Sequence, residues 1–258
     1  MDYLVFQLQA PMAAWGEPAV GEYRGSADTP GESTLIGLLG AALGLRREDE
    51  VAIAALRDGY RFAVGLQASG HLLRDYHTAQ VPSRVALKGR PHASRRDELR
   101  MPKEELGTIL STRDYRQDGA CLVVVQAEAG APHALAELAA ALRRPRFVLY
   151  LGRKSCPPGA PLHPQVVSAD SVLAACQAYR QTLLENLEGQ RDKRGQPLLP
   201  PPAVITKLVW GEGMVAGVAA TLSVPRKDRL IRRRGWHFGD RMEHAALLPS
   251  GEPSCIST

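Results

Sequence analysis

Residues 3–10 alternate, with Leu4, Phe6, Leu8 and Ala10 on one face and Tyr3, Val5, Gln7 and Gln9 on the other. A period of two predicts a strand. From Pro11 to Pro30, Gly, Pro and small residues dominate, and a long ordered loop is expected. Leu35, Leu38, Leu39, Ala42 and Leu43 then recur at helical spacing, with Ser33 placed to cap the helix they define. Glycine costs about 1 kcal/mol inside a helix, so Gly37 and Gly40 point to close approach by another element, and Gly44 to the helix end. A short second helix, about Asp49 to Arg57, precedes a strand carrying Tyr60, Phe62, Val64 and Leu66.

From His77 to Thr112 periodicity is weak and three prolines interrupt the chain (Pro82, Pro91, Pro102). A structureless loop of that length is uncommon in a compact domain unless it has a function, so the segment reads as a projection, partly β-ribbon. The apolar run Cys121 to Val125 predicts a buried strand. Leu135, Leu138 and Leu142 mark a helix, and Arg146 to Leu151 predicts a closing strand. The series β-α-β, excursion, β-α-β specifies an α+β fold: a ferredoxin-like, split-βαβ N-terminal domain with RRM-like topology and a long hairpin insertion at about 77–112.

Beyond Cys156, four prolines form a stiff connector, and a helix is expected from about Ser171 to Leu187. Glu188 to Pro202 reads as an exposed loop, and Val204–Trp210 and Val215–Val224 as strands leading into a basic tail with Trp236. The boundary falls near residue 155. Residues 1–155 form the first domain and 156–258 a smaller one containing β-strands.

The 258 residues are 45% hydrophobic and 23% charged, which suits a globular protein with a real core. No apolar run approaches a membrane span and no secretory signal is visible, so a cytoplasmic protein without membrane contact is expected. Cys121, Cys156, Cys176 and Cys255 are widely spaced, which argues against zinc. The excess of +5 is clustered. Seven cations between Arg226 and Arg241 stand against Asp228 and Asp240, and six between Arg84 and Arg100 stand against Asp97 and Glu98. Such clusters fit either a polyanion, through counterion release, or a solvated surface.

Enzyme motifs are scarce. No HExxH, GxSxG, Walker loop or GxGxxG is present, and neither a metal nor a cofactor is implied. His77 is the one acid–base candidate, with Tyr76 and Lys88 as helpers in a metal-independent ribonuclease; the plainer use of His77 is hydrogen bonding or stacking. The turn Gly31-Glu32-Ser33-Thr34 offers helix amides either to a phosphate or to ordinary capping. Trp15 either stacks on a base or fills the core under the loop. In Gly152-Arg153-Lys154-Ser155-Cys156-Pro157, the cations bind phosphate or pair with acids of a neighbour, and Cys156 reads as a small buried hydrophobe.

Four segments, in this order, resemble the Cas-five family of RAMP proteins found in type I-E CRISPR Cascade complexes. They are Leu8 to Gly16, Ser33 to Gly44 with its Gly37-Leu38-Leu39-Gly40-Ala41 centre, Leu73 to Thr78, and Tyr150 to Pro157; Arg234-Gly235-Trp236 is a weaker echo. The resemblance implies a ferredoxin-like domain whose thumb is the 77–112 excursion. It implies binding of the five-prime handle of the CRISPR RNA, capping of a filament of backbone subunits, and docking of the large subunit that inspects target DNA, with sequence read by guide pairing. No cleavage triad carries over, so a non-catalytic RNA-binding subunit is expected. The alternatives are an endoribonuclease using His77 and a pure protein-interaction cap. The candidate RNA contacts are Arg24, Ser33, Arg74, Tyr76, His77, Arg153 and Lys154 at the handle, with Arg84, Lys88, Arg90 and Arg113 along the guide backbone. At Asp28-Thr29-Pro30-Gly31-Glu32 the chain departs from the family's more basic approach, which weakens a phosphate role for that turn.

Overall fold

The computed structural model describes residues 1–16, 19, 21–188 and 203–249; the expected loop to Pro202 and Cys255 lie outside them. The elements run β1 (Asp2–Ala13), β2 (Tyr23–Arg24), α1 (Glu32–Leu43), α2 (Glu50–Gly59), β3 (Tyr60–Ala68) and β4 (His71–Pro82). They continue with α3 (Arg95–Glu98), β5 (Leu106–Ala127), α4 (Leu135–Arg143), β6 (Gln165–Ser168), α5 (Val172–Glu188), β7 (Lys207–Gly211), β8 (Leu222–Arg232) and β9 (His237–Leu247). One sheet of order β6-β1-β5-β3-β7-β9-β8 runs through the protein, with β2 and β4 added to β5. Residues before the connector at 155 supply β1–β5, and those after it supply β6–β9 to the same sheet.

Alternation in β1 decides both layers. Leu4, Phe6 and Leu8 pack with Leu35, Leu39, Leu56 and Leu138 of α1, α2 and α4. Tyr3 and Val5 face the other way, onto Val172, Cys176 and Tyr179 of α5. The second sheet face is therefore covered rather than open, because β1, β3 and β5 carry apolar residues on both faces. Among the described residues Cys121, Cys156 and Cys176 are buried free thiols, and burial pushes Cys121 and Cys176 up to about 12. No helix among them is long and apolar enough to cross a membrane.

β5 explains the excursion. Its inner half pairs with β1 and β3, the β1 register ending at Ala13↔Arg116. Its outer half pairs with β4 from His71↔Gln117 to Pro82↔Leu106, so the ribbon begins six residues before His77 and carries α3 and a 3₁₀ turn at its far end. The bend between β3 and β4 needs Gly70: its φ is +65°, and a Cβ would lie 2.1 Å from Gln117 O.

Four expectations are corrected. The strand at Arg146–Leu151 does not form; the amides of Arg146 and Phe147 donate to Ala42 O and Ala41 O at the end of α1, and β6 takes the place beside β1. The strand at Val215–Val224 starts only at Leu222, since Val215 O and Ala216 O accept from the first amides of α5. The basic tail is a hairpin, β8–β9. Ser33 does not cap α1: Gly31 is the N-cap, and Asp228 Oδ2 accepts from Glu32 N at 3.0 Å. A carboxylate from 196 residues away thus fills the seat considered for a phosphate.

Candidate nucleic-acid interface

Ion pairs both tie the β8–β9 hairpin together and fix it on the helices. Arg241 binds Asp228 through two nitrogens (2.6 and 2.9 Å) and Glu243 (2.5 Å). Arg229 reaches Glu32 (3.4 Å) and Asp58 (3.1 Å), and Arg57 donates to Leu230 O and Ile231 O. Much of the basic run is therefore neutralised inside the protein. Arg233 sits instead with Trp236 at the hairpin turn, over α1, and Arg234 beside them donates its amide to Glu50 of α2.

Beneath that turn lies a groove of about 500 Å³. Its floor is α1 at Ser33, Thr34 and Gly37, and the Gly152–Arg153 turn forms one wall. Arg24 of β2 and Arg47 of the α1–α2 link complete its rim. Gly37 keeps the floor low, the nearest atom to an added Cβ being Arg233 Nη2 at 3.9 Å. Gly152 is required where it stands: its φ is +87°, and a Cβ would lie 1.7 Å from Ala14 O. Four guanidiniums (Arg24, Arg47, Arg153, Arg233) and three aromatic rings (Tyr150, Trp236, Phe238) line the groove, and among the described residues no carboxylate does. Burial, with the Arg47 charge beside it, pulls Arg233 below its ordinary value.

Of the sequence-predicted residues, Arg24, Ser33 and Arg153 converge here. Arg153 is partly spent on structure: it donates to Asp114 O (3.0 Å) and Arg24 O (3.3 Å) and lies over the Tyr115 ring at 4.5 Å. Lys154 is exposed beside the turn, and Trp15 is in the core. Arg74 sits at the ribbon's base, with Nε 2.9 Å from Asp114 Oδ1, while Tyr23 Oη donates to Asp114 Oδ2 at 2.5 Å. These two hydrogen bonds hold the Asp114 carboxyl below the usual carboxylate range. Arg113 Nε donates to Ser111 Oγ.

Tyr76 is exposed, and His77 lies beside Asp75, with Nε2–Oδ2 2.6 Å apart but without hydrogen-bond geometry. As neighbours on a strand, Tyr76 and His77 point to opposite faces of the ribbon. Arg84 and Lys88 are exposed at its far end, and Arg90 pairs with Glu105 at 3.3 Å. Among the described residues no group of three His, Cys, Asp or Glu could hold a metal.

Sequence reasoning missed Arg47, Tyr150 and Phe238, and counted Arg233 only as one cation in a run. The legible signal was Arg233-Arg234-Gly235-Trp236, a glycine turn with an aromatic between two alternating segments.

The model of the family described as "CRISPR-associated protein (Cas_Cas5)" matches residues 3–210. The "CRISPR system Cascade subunit CasD" of Escherichia coli (strain K12) is 34% identical over 169 residues, covering 62% of this chain and 69% of the relative. A chain of a solved "CRISPR RNA-guided surveillance complex" superposes with a TM-score of 0.59 at 24% identity, covering 95% of this chain and 89% of its own. A second structure, "Crystal structure of Cas protein", gives 0.57 at 24% identity, covering 96% and 95%. Both structures share this fold.

Proposed function

The chain belongs to the Cas-five family of CRISPR-associated proteins, and on that footing we propose that it is a non-catalytic, RNA-binding subunit of a type I-E Cascade-like surveillance complex. Its ligand is the single-stranded five-prime handle of a CRISPR RNA. Its neighbours are the backbone and large subunits, it meets target DNA only through the complex, and it works in the cytoplasm. We read β6-β1-β5-β3, with its α1–α2 and α4 crossovers, as the ferredoxin-like core, and the β4–β5 ribbon as the thumb. The observation that carries the proposal is the groove: four guanidiniums with no lining carboxylate among the described residues, beside the exposed Trp236 ring and the half-buried Tyr150 and Phe238, is the chemistry that grips a splayed, unpaired strand. A cleaving role has less support, because Tyr76 and His77 face apart.

The test is the salt dependence of binding between the full-length chain and single-stranded repeat RNA. Reversing Arg24 and Arg47 to Glu is expected to lower affinity by at least about tenfold. It should also flatten the plot of log affinity against log salt, by about 0.7 for each phosphate no longer neutralised. RNA binding indifferent to that double reversal would remove the groove from the proposal.

A further inference from the structure

We propose that Trp236 is a stacking plate for one base of single-stranded RNA, and that Arg47 and Arg233 hold the phosphate of that nucleotide. The inference rests on the RNA-binding reading of the groove and narrows it to a defined subsite.

The backbone at the turn is the first sign. The β8–β9 turn passes through two left-handed residues, Gly235 (φ 82°) and Trp236 (φ 54°). Glycine, asparagine or aspartate suits such positions, whereas a bulky side chain there is strained. The indole does not offset that strain by filling the core, since Trp236 is 52% exposed. Strain kept without packing gain points to a use at the surface.

The neighbours of the ring are the second. The guanidinium carbons of Arg47 and Arg233 lie 5.5 and 5.4 Å from the ring centroid. Phe238 runs nearly parallel to the indole (20°, centroids 6.3 Å apart), which fixes its orientation. Arg233 Nε is buried and has no hydrogen-bond partner, so a donor beside the plate lacks an acceptor. A phosphate oxygen would supply one, through a charge-assisted bond. A base arriving on the indole displaces a guanidinium from the ring face onto that phosphate.

The surroundings of the plate place the nucleotide. Trp236, Arg47 and Arg233 line both the groove and a neighbouring cleft of about 660 Å³, which also carries Arg232, Arg234, Glu48 and Glu50. The phosphate held by Arg47 and Arg233 therefore sits where groove and cleft meet, with its base across the indole. Glu50 already accepts from Arg234 N (3.1 Å), while Glu48 is exposed and available to accept from an exocyclic amino group.

The experiment uses the full chain with a short single-stranded repeat RNA and reads indole fluorescence, affinity and melting temperature. Trp15 and Trp210 are buried, so quenching by a stacked base reports Trp236. Trp236→Gly should abolish most of the quenching and weaken binding about tenfold, while leaving the melting temperature level or higher because glycine suits φ 54°. Trp236→Phe should restore most of the affinity. Affinity unchanged in Trp236→Gly, a phenylalanine no better than glycine, or lost affinity accompanied by a lower melting temperature would each overturn the assignment. Failure of the wild-type chain to bind RNA would instead sink the groove reading itself.

Discussion

Two hairpins carry the two basic runs of the sequence, and they put the same charge to opposite uses. In β8–β9, Arg229 and Arg241 turn inward onto Glu32, Asp58, Asp228 and Glu243, several of them nearly buried. In the outer β4–β5 ribbon, Arg84 and Lys88 stand in solvent, and the pairs that do form, Arg90–Glu105 and Arg95–Glu98, are local and exposed. The first hairpin is held to the body by its cations; the second is held at its base and bare at its tip. A positive cluster therefore does not identify a ligand surface until its carboxylate partners are placed, and here two of the four, Glu32 and Asp58, come from far along the chain.

The largest expected effect comes from removing one cation that is mostly enclosed, its side chain 12% exposed. Arg241→Ala leaves Asp228, Glu243 and Glu32 facing one another with little solvent, and should cost about 3–5 kcal/mol of stability in urea unfolding. The hairpin turn should loosen with it, so RNA affinity falls although Arg241 lines no part of the groove. A loss below about 1 kcal/mol would show that the network is not what holds β8–β9 on α1.

The elements legible in sequence were those whose periodicity matched their own burial: β1, α1, α2, β3, the inner half of β5, α4 and α5. Phe147 to Leu151 carries strand-forming residues and even buries alternate ones, Leu149 and Leu151 against exposed Val148. Its amides go to a helix end, however, and periodicity does not report hydrogen-bond partners. Ser33 has the right chemistry for a cap and lost the place to Asp228 from across the fold. The groove was only partly visible for the same reason. Its arginines come from β2, the α1–α2 link, the turn after residue 151 and the β8–β9 turn, and only folding brings these together.

At the base of the ribbon the contrast can be sharpened with pH. Arg74 and Tyr23 hold the Asp114 carboxyl below its usual range. Its stabilisation is therefore complete above the ordinary carboxylate pKa of about 4 and is lost as pH falls through the lowered folded value. Asp114→Asn should cost about 1 kcal/mol at neutral pH and converge with wild type in acid. Glu32 in the other hairpin's network has the opposite sign: burial pushes it up, so its contribution fades as pH rises through its folded value. Parallel acid unfolding curves for wild type and Asp114→Asn would mean that Asp114 is not what makes the ribbon's base sensitive to acid.

The smallest effect on stability is expected at the ribbon's tip, where it is the most informative. Arg84 and Lys88 flank Val85, which is 83% exposed, and all three lie beyond the last β4–β5 pair. Arg84→Ala with Lys88→Ala should change unfolding free energy by less than about 0.5 kcal/mol, since neither side chain is buried. If these cations follow an RNA backbone, the same double variant should flatten the salt plot by about 0.7 for each phosphate left without its cation, across RNA sequences alike. An unchanged slope at unchanged stability would assign the tip to a protein neighbour, with Val85 as its apolar contact, and would leave the groove under β8–β9 as the proposed RNA surface.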